Sequence, residues 1–219
     1  MANAPHPLFV TLPYKQERAA PDFTTNEDKY PETLVRHFIK HYSKKGDKVF
    51  DPFAGLGTTL FEAEKLGRDP YGIEADRDRY EWVAAQMENW TAMRHDDAFK
   101  MDKHDFPKFD LVLTSPPFMA TSHKWNPLYD GDPKYAGYDV YLKRMTAIFK
   151  KLPPLMKKGA TLIVHVDNLL IGHRYTPLVR DMADAVSKSF DLKSEIIVAW
   201  DTPPAADYKH THCLVFKKA

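Results

Sequence analysis

Cysteine is almost missing from this sequence. Of 219 residues only Cys213 carries a thiol, so no internal disulfide can form and no multi-cysteine zinc framework is available. Long apolar runs are missing as well. Runs such as Leu162-Ile163-Val164 are far below the roughly 20 residues that a membrane-spanning helix needs. The N-terminal MANAPHPLFV lacks a basic start followed by an apolar stretch, so no secretory signal is expected and a cytoplasmic protein is the default. Repeats and low-complexity tracts are absent, and a composition of 43% hydrophobic and 28% charged residues excludes a disordered or fibrous chain. What is present fits one α/β domain spanning 1–219.

Net charge is also nearly absent, at +1, but its distribution is uneven. Residues 1–50 balance at +2, 51–118 at −6, 119–158 at +5 and 159–219 at 0. An acidic segment is therefore followed directly by a basic one, a pattern open to solvated helix faces or to a binding surface.

Short apolar runs alternate with helical patterns, the signature of a mostly parallel sheet covered on both faces. Strands are expected at 48–50, 71–73, 92–94, 110–114, 160–166, 195–200 and 211–216. The last two, joined by a turn containing Pro203-Pro204, are expected to form an antiparallel edge hairpin. Helices are expected at 31–43, 58–66 (ending at Gly67), 77–88 and 140–156, the last with a break at Pro153-Pro154. Between Met119 and Tyr138 periodicity disappears, and loops of that length are often functional.

Asp51-Pro52-Phe53-Ala54-Gly55-Leu56-Gly57-Thr58-Thr59 runs from a strand through a glycine turn into a helix. Glycines let a ligand approach the backbone, and the helix start offers free N–H groups. Leu60 stands where a dinucleotide fingerprint needs its third glycine, and no Gly-Lys-Ser/Thr follows, so a nucleoside-like ligand at the end of the first strand remains. Glu74, ending the second strand, suits ribose hydroxyls. Asp96 and Asp97, ending the third, could accept from an adenine amino group.

Leu111-Val112-Leu113-Thr114-Ser115-Pro116-Pro117-Phe118 is the most specific feature. Two prolines fix the backbone and leave carbonyls without competing donors. Ser115 and a proline-region carbonyl could accept the two hydrogens of an exocyclic amino group, while Phe118 stacks on the base. Together with the glycine turn, and with Lys29-Tyr30-Pro31-Glu32-Thr33-Leu34 through Lys45-Gly46-Asp47 before it, this motif resembles the amino-methyltransferases of DNA, closely over roughly residues 25–118. These enzymes use S-adenosylmethionine to modify cytosine N4 or adenine N6.

The resemblance implies a Rossmann-like, seven-stranded methyltransferase fold, with DNA methylation in a restriction–modification setting. It places Asp51, Phe53, Gly55 and Gly57 around the methionine part of the cofactor, Glu74 at the ribose, Asp97 near the adenine and Thr33 near the carboxylate. Ser115, Pro116, Pro117 and Phe118 are the implied catalytic residues, and serine before the prolines is typical of the cytosine N4 enzymes. Within 119–158, a candidate substrate-recognition lid, Lys124, Trp125, Lys134, Lys143 and Arg144 suit phosphate contact and base stacking. Adenine N6, a base in RNA, and a catalytically silent nucleic-acid-binding subunit stay open as alternatives, as does a homodimer. His37 and His41 read as helix-surface histidines, and His210, His212 and Cys213 fall on both faces of one strand, so no metal site is expected.

Overall fold

A computed structural model describes residues 8–24 and 29–218 of the chain; residues 1–7, on which the expectation of no leader rests, lie outside it. The strands are β1 (Phe9–Leu12), β2 (Lys48–Asp51), β3 (Asp69–Glu74), β4 (Met93–His95), β5 (Phe109–Thr114), β6 (Met156–Val166), β7 (Leu169–Ile171), β8 (Arg174–Thr176), β9 (Asp191–Trp200) and β10 (His210–Lys217). The α-helices are α1 (Glu32–Tyr42), α2 (Thr58–Lys65), α3 (Arg77–Ala84), α4 (Tyr138–Phe149) and α5 (Leu178–Ser187). Eight strands form one sheet in the order β1-β9-β10-β6-β5-β2-β3-β4, and β7-β8 make a separate antiparallel hairpin. Within the large sheet β10 runs antiparallel to both neighbours and all other pairs are parallel.

All seven expected strands form. The departure is at the rim, where β1, from the proline-rich N-terminal stretch, pairs with β9 and becomes the outermost strand. The β9–β10 pair is antiparallel as expected but lies inside the edge, with β10 inserted between β6 and β9. Helix α4 ends at Phe149, seven residues before the expected boundary. Pro153 and Pro154 start a 3-10 turn, and Met156 already opens β6. Helix α5 falls where no element was expected.

Period-two alternation divides the side chains between two layers. Phe50, Val112, Leu162, Val164 and Leu214 enter the core shared with Tyr141, Met145, Ile148 and Phe149 of α4 and Leu178, Met182 and Val186 of α5. Val49, Leu111, Leu113, Ile163 and Val215 enter the opposite core, with Leu34, Val35, Phe38 and Ile39 of α1. Burying each such side chain contributes roughly 1.5–3 kcal/mol, which fixes the strand ends in place. Among the described residues no helix is long and apolar enough to cross a membrane.

Candidate active site

The carboxyl ends of the parallel strands line one edge of the sheet. Because β10 runs the other way, its second residue, Thr211, reaches the same edge. Helix α2 leads from β2 to β3, while β5 is laid down on the other side of β2, so β2 and β5 flank the topological switch point at which α/β sheets bind ligands.

Asp51 ends β2 at this crevice and is only 1% exposed. Its Oδ1 accepts from the Thr114 hydroxyl (2.6 Å) across the crevice and from the Phe53 N–H (3.0 Å). Its Oδ2 faces the hydroxyl of Tyr30 (3.4 Å), which also bonds to Thr59. These donors are neutral. Burial outweighs them and pushes the Asp51 carboxyl up to about 6, so this acid gains from any cation placed beside it.

After Asp51 the chain turns at Gly55 and Gly57, with φ of +53° and +73°. A Cβ on Gly57 would also sit 2.8 Å from Val83 and 2.9 Å from Phe61, so close packing as well as backbone shape demands glycine there. Half-buried Phe53 packs against the α4–α5 core. Glu74 accepts the Gly55 N–H at Oε2 (2.7 Å) and the Asp76 N–H at Oε1 (2.8 Å). Each oxygen thus ties down the turn and keeps a second lone pair. Burial raises this carboxyl above its usual range.

The structure commits two of the expected residues to internal contacts. The Thr33 hydroxyl donates to the Pro13 carbonyl (2.6 Å), leaving it only acceptor capacity toward a ligand. Asp97 accepts the Phe99 N–H (2.7 Å) and an Arg144 guanidinium N–H (2.6 Å). Arg144, expected to meet phosphate, instead lies over the Phe99 ring (3.8 Å) and near the Tyr129 ring (5.1 Å). Lys124, Trp125, Lys134 and Lys143 are exposed. The Lys124 ammonium lies 4.4 Å from the Trp125 ring. The 119–138 segment is held by buried Asn126, whose side chain donates to Tyr135 O (3.1 Å) and accepts from Leu128 N–H (3.0 Å), and by stacking of Tyr129 on Tyr135 at 4.1 Å.

Beyond β5, the Pro117 carbonyl accepts from the Tyr141 hydroxyl (3.0 Å), while the Pro116 carbonyl has no partner among the described residues. Ser115 Oγ lies 2.8 Å from Nδ1 of His165. His165, near the end of β6, is 4% exposed, and burial lowers its pKa. Its ring stacks on Tyr30 (5.2 Å, 27°) and tilts against Phe118 (5.8 Å, 36°), and its Nε2 lies 2.7 Å from the Thr211 hydroxyl. Thr211 in turn donates to Asp167 (2.7 Å). His165, Asp167 and Thr211 escape sequence reasoning because distant segments bring them to Ser115. Tyr30, inside a quoted motif, had a local signal.

A cleft of about 560 Å³ runs along α2, lined by Glu17, Glu62, Glu64 and Lys65 among others, and contains none of Asp51, Glu74 or Ser115. The geometry of the strand ends, not cleft size, locates the site. Among the described residues no cluster of three or more His, Cys, Asp or Glu is arranged to hold a metal ion.

The family model described as DNA methylase matches residues 11–86, which hold Asp51, both turn glycines and Glu74. Over this segment the chain is similar to the DNA methylase family. The methylase segment stops short of Ser115-Pro116-Pro117-Phe118. Type II methyltransferase M2.DpnII of Streptococcus pneumoniae is 38% identical over 58 residues, covering 26% of this chain and 22% of that protein. Type II methyltransferase M.MjaI of Methanocaldococcus jannaschii is 44% identical over 48 residues, covering 22% and 16%. The matches thus span less than a quarter of these relatives' length. Among solved structures, TrmN from Thermus thermophilus superposes with a TM-score of 0.61 at 19% identity, over 86% of this chain and 49% of that one. A TehB-like SAM-dependent methyltransferase from Corynebacterium glutamicum does so with 0.55 at 15% identity, over 84% and 87%. The fold is the α/β fold of these methyltransferases, and S-adenosylmethionine is the methyl donor that family and fold imply.

Proposed function

We propose that this chain transfers a methyl group from S-adenosylmethionine to the exocyclic amino group of a base in DNA, with cytosine N4 as the target. The observation that carries the reading is the pairing of two acceptors beyond β5. Ser115 Oγ, 2.8 Å from His165 Nδ1, and the Pro116 carbonyl, without a partner among the described residues, belong to consecutive residues directly after Thr114, which bonds to Asp51, and the Phe118 ring tilts against the same His165 ring. Two acceptors on consecutive residues suit the two hydrogens of an amino group.

Asp51 supports the cofactor assignment. A buried acid surrounded by neutral donors and raised to about 6 suits a ligand that carries a sulfonium and an ammonium, and the free lone pairs of Glu74 suit ribose hydroxyls. Bound there, S-adenosylmethionine would supply an activated methyl group. The protein's part is to hold the amino nitrogen in line, to keep its lone pair available by accepting its hydrogens, and to exclude water. No covalent nucleophile is required of the chain. A base in a duplex must leave the stack to reach these acceptors, whereas an unpaired base is already free to do so. The exposed Lys124 and Trp125 suit contact with the strand around it.

The test is incubation with methyl-labelled S-adenosylmethionine and duplex DNA, single-stranded DNA or RNA, followed by nuclease digestion and mass analysis. Label in N4-methylcytosine from DNA is the expected result. Label only in N6-methyladenine, or only in RNA, would overturn the assignment of the base or of the substrate. Absence of both methyl transfer and cofactor binding would overturn the enzyme reading.

A further inference from the structure

Resting on that proposed reaction, we infer that His165 makes Ser115 an obligate hydrogen-bond acceptor toward the substrate and receives the proton that the amino group sheds. The inference follows from counting hydrogens along a buried chain of partners. The Asp167 carboxylate accepts from the Thr211 hydroxyl (2.7 Å), the His212 N–H (3.3 Å) and the Tyr208 hydroxyl (3.2 Å). A hydroxyl has one hydrogen, and Thr211 gives its own to Asp167. Toward His165 Nε2, 2.7 Å away, Thr211 can therefore only accept, so Nε2 carries the imidazole proton.

The imidazole is buried between Tyr30 and Phe118, and burial disfavours its charged form. A neutral ring protonated at Nε2 is bare at Nδ1. Ser115 Oγ, 2.8 Å from that nitrogen, must then donate to it. The only hydroxyl hydrogen of Ser115 is turned inward, and its lone pairs are left for the substrate. Asp167 thus sets the polarity of Ser115 through two intermediaries, although the carboxylate and the serine are 52 positions apart. A serine so fixed welcomes an N–H and repels a carbonyl oxygen. It selects amino-bearing bases over keto bases at the same position.

The same chain disposes of the proton. Methylation forms the nitrogen–carbon bond as the sulfur–carbon bond breaks, leaving the nitrogen with one proton too many. That proton passes to Ser115 Oγ as Ser115 passes its own to His165 Nδ1. The resulting imidazolium lies one hydroxyl away from the Asp167 carboxylate, which balances its charge. The other titratable groups facing the ring are Tyr30 ahead of α1 and His212 and Cys213 on β10, with Asp51 one hydrogen bond beyond Tyr30.

Histidine-selective ¹⁵N NMR of the full chain without substrate reads the polarity directly: His165 is expected protonated at Nε2 and bare at Nδ1. Thr211→Val should lose this preference and lower the single-turnover rate of methyl transfer by about ten- to a hundredfold, and Thr211→Ser should restore both. His165→Asn keeps an acceptor for Ser115 but cannot carry a proton. Its KM for nucleic acid should stay within about twofold while kcat falls about a hundredfold and the acidic limb of the pH–rate profile disappears. A proton found on Nδ1, or a His165→Asn protein with wild-type rate and pH profile, would overturn the inference. Absence of transfer by the wild-type chain would sink the proposed reaction, and the proton-acceptance part with it. The NMR result would still decide the polarity of Ser115 by itself.

Discussion

Replacing Asp51 with asparagine is expected to stabilise the free protein while weakening its hold on the cofactor, and pH separates the two effects from ordinary packing damage. Asp51 is held at about 6 in the folded chain, against an ordinary 3.8. Below pH 3.8 the group is protonated in both states and costs nothing. Between 3.8 and 6 the unfolded chain ionises it and the folded chain does not, so stability is lost as pH rises. Above 6 the full penalty applies, about 2 pH units or ~3 kcal/mol as an order of magnitude. Asparagine has nearly the same shape, can accept from Phe53 N–H and the Thr114 hydroxyl, and carries no charge to desolvate. The Tm difference between Asp51→Asn and wild type should therefore be more positive at pH 7 than at pH 4, by up to roughly 6–12 °C for a chain of this size. Other carboxylates are common to both proteins and cancel. Differential scanning fluorimetry across pH 4–7.5 gives the slope, and isothermal titration calorimetry at pH 7.5 should find S-adenosylmethionine bound roughly ten- to a hundredfold more weakly. A Tm difference that does not change with pH, or that falls as pH rises, refutes the account of Asp51 as an acid left without a cation.

Other substitutions address the remaining parts of the site. Gly57→Ala forces a side chain onto a backbone at φ +73° and into Val83 and Phe61, and should cost about 1–3 kcal/mol in urea unfolding and remove cofactor binding. Ser115→Ala should cut methyl transfer at least about a hundredfold with cofactor affinity unchanged by calorimetry; equal loss of both would contradict its role. The Lys124→Ala, Trp125→Ala double variant should bind single-stranded DNA about tenfold or more weakly and reduce the salt slope of log K by about one, read by fluorescence anisotropy.

The features legible in the sequence are those that local chemistry dictates. The strands leading to Asp51, Glu74 and Thr114, the left-handed glycines and the rigid Pro116-Pro117 segment each follow from residues a few positions apart. Helix α5 carried a readable signal too, since Leu178, Val179, Met182 and Val186 have amphipathic spacing. Strand β1 did not. A four-residue stretch beside several prolines has little intrinsic reason to extend, and pairing with β9 decides it. The partners of Ser115 were hidden for a related reason: His165 and Thr211 meet only because β10 is inserted antiparallel beside β6. A sequence motif names the residue that touches a substrate, whereas the groups that set its protonation come from wherever the topology ends.

The pairing of Asp97 with Arg144 has a consequence of its own. Arg144 joins the acid at the end of β4 to Tyr129, and Tyr129 stacks on Tyr135 within the basic loop. A ligand that competes for lone pairs on Asp97 would act on the same carboxylate that holds Arg144. Coupling of this kind is symmetric by thermodynamic necessity. If occupying the Asp97 end alters the affinity of the loop for a strand by some factor, then the strand alters affinity at the Asp97 end by the same factor. One guanidinium is the contact that connects Asp97 to Tyr129 of the loop.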